Sequence, residues 1–266
     1  MANIAAKRQR SIASALSHGA KFLAVIILPA RHPFRRGNNL GARRLIRKDE
    51  DRIMNIVATL GPALALDIAE AESIAELRHQ AEGCTRCDLY RNATQIVFGE
   101  GPGKAEIVLV GEQPGDQEDV AGQPFVGPAG RLLDRCLVEA GLDRRRCYVT
   151  NAVKHFKFTQ RGKRRLHAKP NAGEIKRCAW WLGAEIDILK PKLVVTLGAS
   201  ALYAVLGPKA KLTPERGHIL QPANHPPVLV TIHPSYLLRI RDEVERQRLR
   251  LDFVSDLHKA TEFRPG

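Results

Sequence analysis

Four short apolar runs constrain the fold of this chain more than any other feature. They follow one another from about residue 105 and comprise Ile107 to Val110, Cys147 to Val153, Leu193 to Leu197 and Val228 to Ile232. Each run is nearly continuous in apolar residues, which is typical of a strand buried on both faces of a parallel sheet. Because helical patterns alternate with these runs, the sequence predicts a three-layer α/β/α sandwich with a central, mainly parallel, four-stranded sheet.

The helical patterns between and after these runs have recognisable ends. The predicted helices cover about Leu132 to Ala140, Asn171 to Lys190 and Asp242 to Lys259, after a helical lead-in over Asn55 to Arg91. Asn171 and Glu174 stand three residues apart and predict a capping box at the start of the longest interstrand helix. Pro191 then predicts where that helix stops.

The charge of the chain is unevenly distributed. The net charge is +14; residues 1–53 hold 12 Lys and Arg against 3 Asp and Glu, or +9, which leaves 30 against 25, or +5, for the remainder. Residues 1–53 are rich in arginine and lack sustained periodicity, so we predict a basic, disordered extension ahead of one domain over residues 54–266. An excess of positive charge suits a polyanionic partner such as nucleic acid.

Apolar runs and cysteines indicate the compartment. The longest apolar run, Phe22 to Ala30, is far shorter than the roughly 20 residues that a membrane span needs. Five cysteines are an odd number, which argues against a disulfide framework and for reduced thiols. We therefore expect a soluble, monomeric protein of the reducing cytoplasm.

Polar motifs follow three of the four predicted strands. They are GEQPGDQED (Gly111 to Asp119), Asn151 with the basic loop after it, and HPS (His233 to Ser235). Each motif alone is common turn chemistry. In an open α/β sheet, however, the carboxyl ends of the strands meet at one edge, where ligands bind. The sequence therefore predicts one site at that edge.

These motifs resemble those of a known family. GEQPG, GQPFVGPAG (Gly122 to Gly130), TNAVKH (Thr150 to His155) and HPSYLLR (His233 to Arg239) are similar to motifs of family 4 uracil-DNA glycosylases, and the resemblance covers about Glu82 to Leu257. Two departures resemble the UdgX-type branch, which forms a covalent adduct with uracil-bearing DNA. One is Gln113, where family 4 has alanine, and the other is the inserted basic loop Lys163 to Pro170.

The resemblance implies a pocket for uracil flipped out of DNA. Phe125 would stack on the base, Asn151 would hydrogen-bond its Watson–Crick edge, and His233 would donate to the oxygen that gains charge. Gly111 and Gln113, with the main chain up to Gly115, would complete the uracil-binding pocket.

The resemblance also implies a nucleophile, His167. Its basic neighbours favour a neutral imidazole, which is able to attack the sugar carbon after uracil departs. Glu112 would orient His167 or accept its proton, and Gln113 would assist through an amide hydrogen bond. Two alternatives remain open: an ordinary glycosylase that releases uracil with many turnovers, and a Glu112 that only forms an ion pair with the basic loop.

The basic loop predicts a DNA interface. Residues 154 to 169 include seven Lys and Arg, a density suited to phosphate contacts. We expect uracil-containing DNA, preferably single-stranded, to be the partner. The expected DNA-binding residues are Lys163, Arg164, Arg165, Lys169, Ser235 and Arg239.

A cysteine pair predicts a metal centre. Cys84 and Cys87 form a CxxC pair, which suits zinc, an iron-sulfur cluster or a redox dithiol. The resemblance to family 4 implies a 4Fe-4S cluster on Cys84, Cys87, His155 and Cys178, where His155 replaces the third family cysteine. A phosphate-facing cation is the alternative for His155, and a non-catalytic iron-sulfur DNA-binding module is the alternative for the whole protein.

Overall fold

The structure is a computed structural model that describes residues 71–223 and 225–263. The predicted extension over residues 1–53, and residues 55–70 of the predicted lead-in, lie outside the described part. None of the helices within the described part combines the length and apolar character that a membrane span requires.

Seven strands and eight helices organise the described residues. The strands are β1 (Ile107–Gly111), β2 (Cys147–Asn151), β3 (Phe158–Arg161), β4 (Arg164–His167), β5 (Leu193–Leu197), β6 (Ile219–Leu220) and β7 (Val228–Thr231). The helices are α1 (Ile74–Ala81), α2 (Asp116–Ala121), α3 (Pro128–Glu139), α4 (Ala172–Leu189), α5 (Ala199–Leu206), α6 (Leu212–Glu215), α7 (Pro234–Leu237) and α8 (Glu243–Glu262). Short 3₁₀ turns occupy Asp88–Arg91 and Arg144–Arg146.

The main sheet has the order β2-β1-β5-β7-β6. Its first four strands are parallel and coincide with the four apolar runs, so the predicted mainly parallel sheet is confirmed. The structure adds β6 as a fifth, antiparallel strand at the edge, with Ile219 opposite Leu229. A strand of two residues is too short to leave a period in the sequence, and it forms here because β7 would otherwise present an open edge.

Helices cover both faces of this sheet. Successive strand residues point to opposite faces, so Leu109 packs in one core cluster with α3 and α8, whereas Val108 packs in a second cluster with α4 and α5. Cys136 and Cys147 are both buried in the first cluster. The three-layer α/β/α prediction is therefore confirmed.

The predicted helix ends hold to within a few residues. Asn171 Oδ1 accepts the main-chain N–H of Glu174 at 2.9 Å, and Glu174 Oε2 accepts that of Asn171 at 2.7 Å, which completes the predicted capping box. Helix α4 ends at Leu189, and Lys190 takes the left-handed conformation with φ of 48° before Pro191. The last helix continues to Glu262, three residues beyond its predicted end.

The basic loop is an ordered hairpin. Strands β3 and β4 pair antiparallel, with Phe158 opposite His167, and Gly162 turns between them with φ of 58°. The sequence indicated only a charged loop, because most side chains of this ribbon are exposed and no apolar run marks it. We refer to residues 158–167 as the flap.

A fully buried ion pair lies beneath the carboxyl end of β2. Lys154 Nζ lies 2.6 Å from Glu185 Oε2, and both side chains are 0% exposed. The ammonium group also donates to Thr150 Oγ1 at 2.6 Å and to the main-chain oxygen of Asn151 at 2.9 Å. Glu185 accepts a further hydrogen bond from Tyr148 Oη at 2.9 Å. Since every polar group of the pair has partners, the charges are tolerated inside the protein.

Replacement of Lys154 should therefore destabilise the protein severely. Lys154→Met leaves Glu185 charged and uncompensated, and we expect the free energy of unfolding to fall by about 3–5 kcal/mol in urea denaturation. The control is Lys192→Met, which removes an exposed ion pair with Glu106 and should cost less than about 1 kcal/mol. Equal losses for the two variants would contradict a structural role for the buried pair.

Candidate active site

Polar side chains follow the carboxyl ends of all four parallel strands at one edge of the sheet. Glu112 and Gln113 follow β1, and β2 ends at Asn151. Helix α5 begins directly after β5 and carries Ser200 in its first turn, while His233 follows β7. The structure thus brings the three predicted motifs to one edge and adds a fourth.

The ring of Phe125 and the side-chain amide of Asn151 both pack against the main chain of Gly111. A Cβ atom at this position would lie 2.4 Å from Asn151 Oδ1 and 2.5 Å from Phe125 Cζ. These separations are far below van der Waals contact, so any larger residue would displace one of the two side chains. Phe125 and Asn151 therefore flank the same stretch of bare backbone.

Phe125 is held in a backbone conformation that phenylalanine rarely adopts. Its φ is 59°, in the left-handed region, and the residue is 5% exposed. Helix α3 fixes this conformation, since a Cβ at Gly130 would lie 1.7 Å from the Phe125 carbonyl oxygen. Glu118 accepts the main-chain N–H of Gly127 at 2.7 Å and secures the same loop. Strain of this kind, roughly 1–3 kcal/mol, collects at functional sites.

Asn151 presents a buried acceptor that no described residue satisfies. The residue is 2% exposed, and its Oδ1 has no hydrogen-bond partner. An unpaired buried acceptor destabilises a protein by roughly 1–3 kcal/mol. The side chain is therefore arranged to meet a ligand that donates a hydrogen bond, while its main-chain oxygen is held by Lys154.

His233 is held in one protonation state. Its Nδ1 accepts the main-chain N–H of Ser235 at 3.1 Å and lies 2.7 Å from Ser235 Oγ. Burial, reinforced by the charges of Arg239 and His167, lowers the pKa of His233 to about 4. The ring is therefore neutral at pH 7, and because Nδ1 accepts, its proton is on Nε2. Its centroid lies 6.0 Å from that of Phe125.

His167 lies at the end of the flap and faces the motif after β1. Its Nε2 is 3.4 Å from Glu112 Oε1, with the two side chains 47% and 22% exposed. The His167 charge also contributes to the low pKa of His233. The predicted nucleophile and its predicted carboxylate partner are thus neighbours without any movement of the flap.

The side chain of Gln113 has hydrogen-bond partners that differ from the predicted ones. Its side-chain nitrogen donates to the main-chain oxygens of Lys157 at 3.1 Å and Ala168 at 3.2 Å, and its oxygen accepts the N–H of Lys157 at 3.2 Å. These residues are the two roots of the flap. The sequence had suggested that this side chain bonds to His167 or to a base. Because both amide hydrogens are used at the roots of the flap, the side chain holds the flap instead.

Arg165 also has a different role from the DNA contact predicted for it. Its guanidinium donates to Asp116 Oδ1 and to Asp119 Oδ2, both at 2.6 Å. The same group lies over the rings of Phe156 and Phe158, with separations of 5.5 and 5.3 Å from their centroids. Arg165 thus anchors the flap to helix α2, and little of its charge remains for phosphate.

The other cations of the predicted basic loop are either buried or paired within the protein, or exposed to solvent. Lys154 is buried, and Lys157 lies 2.9 Å from Glu174 Oε2. In contrast, Lys163, Arg164 and Lys169 are exposed on and beside the flap, and Arg239 is exposed after α7. Only part of the charge density seen in the sequence therefore faces solvent.

Ser200 was missed in the sequence. It is 4% exposed, and its Oγ donates a hydrogen bond to Glu112 Oε2. The signal was available, because Gly198-Ala199-Ser200 follows the third apolar run as the other motifs follow theirs. Applying the strand-end rule to that run would have included it.

The three cysteines among the predicted metal ligands lie in a third buried cluster, between α1 and α4. Cys87 and Cys178 are buried there, with Cys84 packed against them. Burial, reinforced by the neighbouring Cys87 and Cys84, raises the pKa of the Cys178 thiol to about 12. Within residues 71–223 and 225–263, no group of three or more His, Cys, Asp and Glu side chains has a metal-binding arrangement.

His155 is close to this cluster in the chain. The preceding residue, Lys154, donates its main-chain N–H to Cys178 Sγ at 3.1 Å. His155 is 5% exposed, its Nδ1 has no hydrogen-bond partner, and burial lowers its pKa. A buried, neutral imidazole is a poor phosphate-facing cation, whereas an imidazole nitrogen without a partner has the chemistry to replace a thiolate on iron.

Comparison with known proteins agrees with this arrangement. Residues 98–258 match the Uracil DNA glycosylase superfamily. The type-4 uracil-DNA glycosylase of Thermotoga maritima is 40% identical over 181 residues, which is 68% of this chain and 88% of that protein. That of Pyrobaculum aerophilum is 34% identical over 191 residues, which is 69% of this chain and 91% of that protein. On these matches, the chain belongs to the Uracil DNA glycosylase superfamily.

Proposed function

We propose that this protein excises uracil from DNA and that His167 then captures the sugar covalently. Excision is supported by the relatives, which are named as uracil-DNA glycosylases. The capture step is carried by one observation: His167 Nε2 lies 3.4 Å from Glu112 Oε1, on a flap that is already fixed. An ordinary glycosylase needs no histidine at this place.

Base recognition would use the strained aromatic ring and the unsatisfied amide. Phe125 offers its face to a flipped base, since it lies beside the bare backbone of Gly111. Asn151 Oδ1 would accept the N3–H of uracil, and the amide nitrogen would donate to O4. Cytosine would be rejected because its N3 accepts and its exocyclic amine donates, which would leave both amide groups mismatched.

His233 would stabilise the departing base. When the bond between C1′ and N1 breaks, both electrons leave with uracil, and negative charge develops on its oxygen atoms. The neutral ring carries its proton on Nε2, because Nδ1 accepts from the Ser235 main chain. A donor fixed before the reaction stabilises such charge without reorganisation.

Capture would follow at the same carbon. The lone pair of the unprotonated ring nitrogen of His167 forms a bond to C1′, which gives an alkylated imidazolium. Glu112 stabilises this cation and accepts its remaining ring proton, while the uracil anion takes a proton from solvent. Water is at a disadvantage in this competition, since the imidazole is held in place before C1′ becomes electrophilic.

Anchoring of the flap gives the histidine this advantage. Gln113 ties both roots of the flap, and Arg165 ties its second strand to Asp116 and Asp119. The exposed cations Lys163, Arg164, Lys169 and Arg239 remain for the phosphates of DNA. Binding should therefore weaken steeply as salt is raised.

We also propose that Cys84, Cys87, His155 and Cys178 hold a 4Fe-4S cluster. Three thiols and an imidazole nitrogen without a partner meet the known chemistry of iron-sulfur ligands. The cluster would supply structural stability, because breaking a glycosidic bond needs no change of oxidation state.

His167→Ala should abolish the covalent product. The purified protein is incubated with single-stranded DNA containing one uracil, and the mixture is run on an SDS denaturing gel. We expect a band resistant to SDS with the unaltered protein and none with the variant, which should leave an alkali-sensitive abasic site. His79→Ala, which changes an exposed histidine on α1, is the matched control.

The same gel decides between the alternatives. Free uracil in excess over protein, with no resistant band from the unaltered protein, would support an ordinary glycosylase. Neither uracil nor adduct would support a non-catalytic binding module. A resistant band from His167→Ala would mean that another residue is the nucleophile.

The iron centre is testable without activity. The purified protein should be brown, with absorbance near about 400 nm as in other iron-sulfur proteins, and should contain iron and acid-labile sulfide. His155→Ala should lose colour faster in air than Cys136→Ala, which changes a core thiol outside the cluster. Colourless protein containing zinc would refute the assignment.

The low pKa of His233 makes stability depend on pH. The ordinary pKa of histidine is about 6.5, and the folded value is about 4, so between these values the unfolded chain binds a proton that the folded chain excludes. The contribution of His233 to the free energy of unfolding is fully present above pH 6.5. It is lost as pH decreases towards 4, by about 3 kcal/mol in total.

His233→Gln should remove this part of the pH dependence. Urea unfolding at pH 7 and at pH 4.5 measures it, with His79→Gln as the control that keeps it. If His233→Gln loses as much stability on acidification as the unaltered protein, another group is responsible.

A further inference from the structure

We infer that Ser200 is a positioning residue that aims the carboxylate of Glu112 at His167. This inference rests on the proposed function, because it concerns how Glu112 serves the capture step. Ser200 comes from the turn after β5, which neither the sequence motifs nor the flap includes.

The two carboxylate oxygens of Glu112 have different partners. Ser200 Oγ donates to Oε2 of Glu112, while Oε1 is the atom that faces His167 Nε2 at 3.4 Å. A hydrogen bond on one oxygen fixes rotation about the last bond of the side chain. The other oxygen is therefore held towards the ring.

Ser200 is itself held by its surroundings. It is 4% exposed and belongs to the first turn of α5, where the helix dipole favours a nearby negative charge. Gly198 precedes that turn with φ of 92°, and a Cβ there would lie 3.0 Å from His233 Cβ. The same turn thus packs against His233 and supports Glu112.

This arrangement favours capture over hydrolysis. An ionised carboxylate aimed at the imidazole stabilises the imidazolium that forms when His167 attacks C1′. If the serine hydroxyl is removed, the carboxylate loses a charge-assisted hydrogen bond and is free to rotate away from the imidazole. Water then competes better for the same carbon.

The test follows adduct and abasic site together in single-turnover reactions with uracil-containing DNA. We expect Ser200→Ala to slow adduct formation about 10-fold, which corresponds to loss of one hydrogen bond to a charged group. The fraction of abasic product should rise. Ser200→Thr keeps the hydroxyl and should restore both.

Two further variants separate positioning from folding. Thr196→Val removes another buried hydroxyl, which bonds Leu229 O from the same strand end, and should leave the adduct rate unchanged. In a Glu112→Gln background, Ser200→Ala should add no further loss, because the serine acts through the carboxylate.

The outcomes distinguish the two proposals. Full additivity with Glu112→Gln, or an unchanged adduct rate and abasic fraction for Ser200→Ala, would overturn the positioning role while the adduct itself remains. No SDS-resistant band from the unaltered protein would overturn the proposed capture, and the inference with it.

Discussion

Lys154 and Glu185 form an ion pair from which water is excluded, and much of the site depends on it. The ammonium group of the pair donates a hydrogen bond to the main-chain oxygen of Asn151. Asn151 is therefore held through its main chain, and its side-chain amide is not used for this purpose. The main chain of Lys154 also bonds Cys178. One residue therefore links the carboxyl end of β2 to the proposed cluster. Such a pair is costly to bury unless its partners are complete, which explains why Thr150 and Tyr148 contribute hydroxyl groups.

The flap shows how charges that look alike in a sequence take different roles. Arg165 is bound by two aspartates and lies over two phenylalanine rings, whereas Arg164 beside it is exposed. Alternation along a strand explains this division, because neighbouring residues point to opposite faces. Gln113 closes the other end of the flap through main-chain bonds. The residue that replaces the family alanine thus acts by orienting a second element.

The two histidines of the site differ because their surroundings differ. His233 accepts the main-chain N–H of Ser235 at its Nδ1, and burial lowers its pKa to about 4, so its donor is fixed at neutral pH. His167 is half exposed and faces a carboxylate, which suits the positive charge that the proposed capture step would place on it. The same side chain is thereby suited to proton donation in one place and to nucleophilic attack in the other.

The sequence by itself determined the layers of this protein and the edge at which its site lies. Continuous apolar runs specify buried parallel strands, and their carboxyl ends must converge, so Asn151, His233 and Glu112 were placeable from spacing alone. The capping box of α4 was also readable, because its two residues bond each other locally.

Only the tertiary structure decided which polar groups remain available to a ligand. Lys154, Gln113 and Arg165 resemble free polar groups in the sequence, yet each is used by residues distant in the chain. Ser200 approaches Glu112 across 88 positions, and β6 forms only because β7 offers an open edge. Periodicity records which face a residue takes, but hydrogen-bond partners depend on how separate elements pack together.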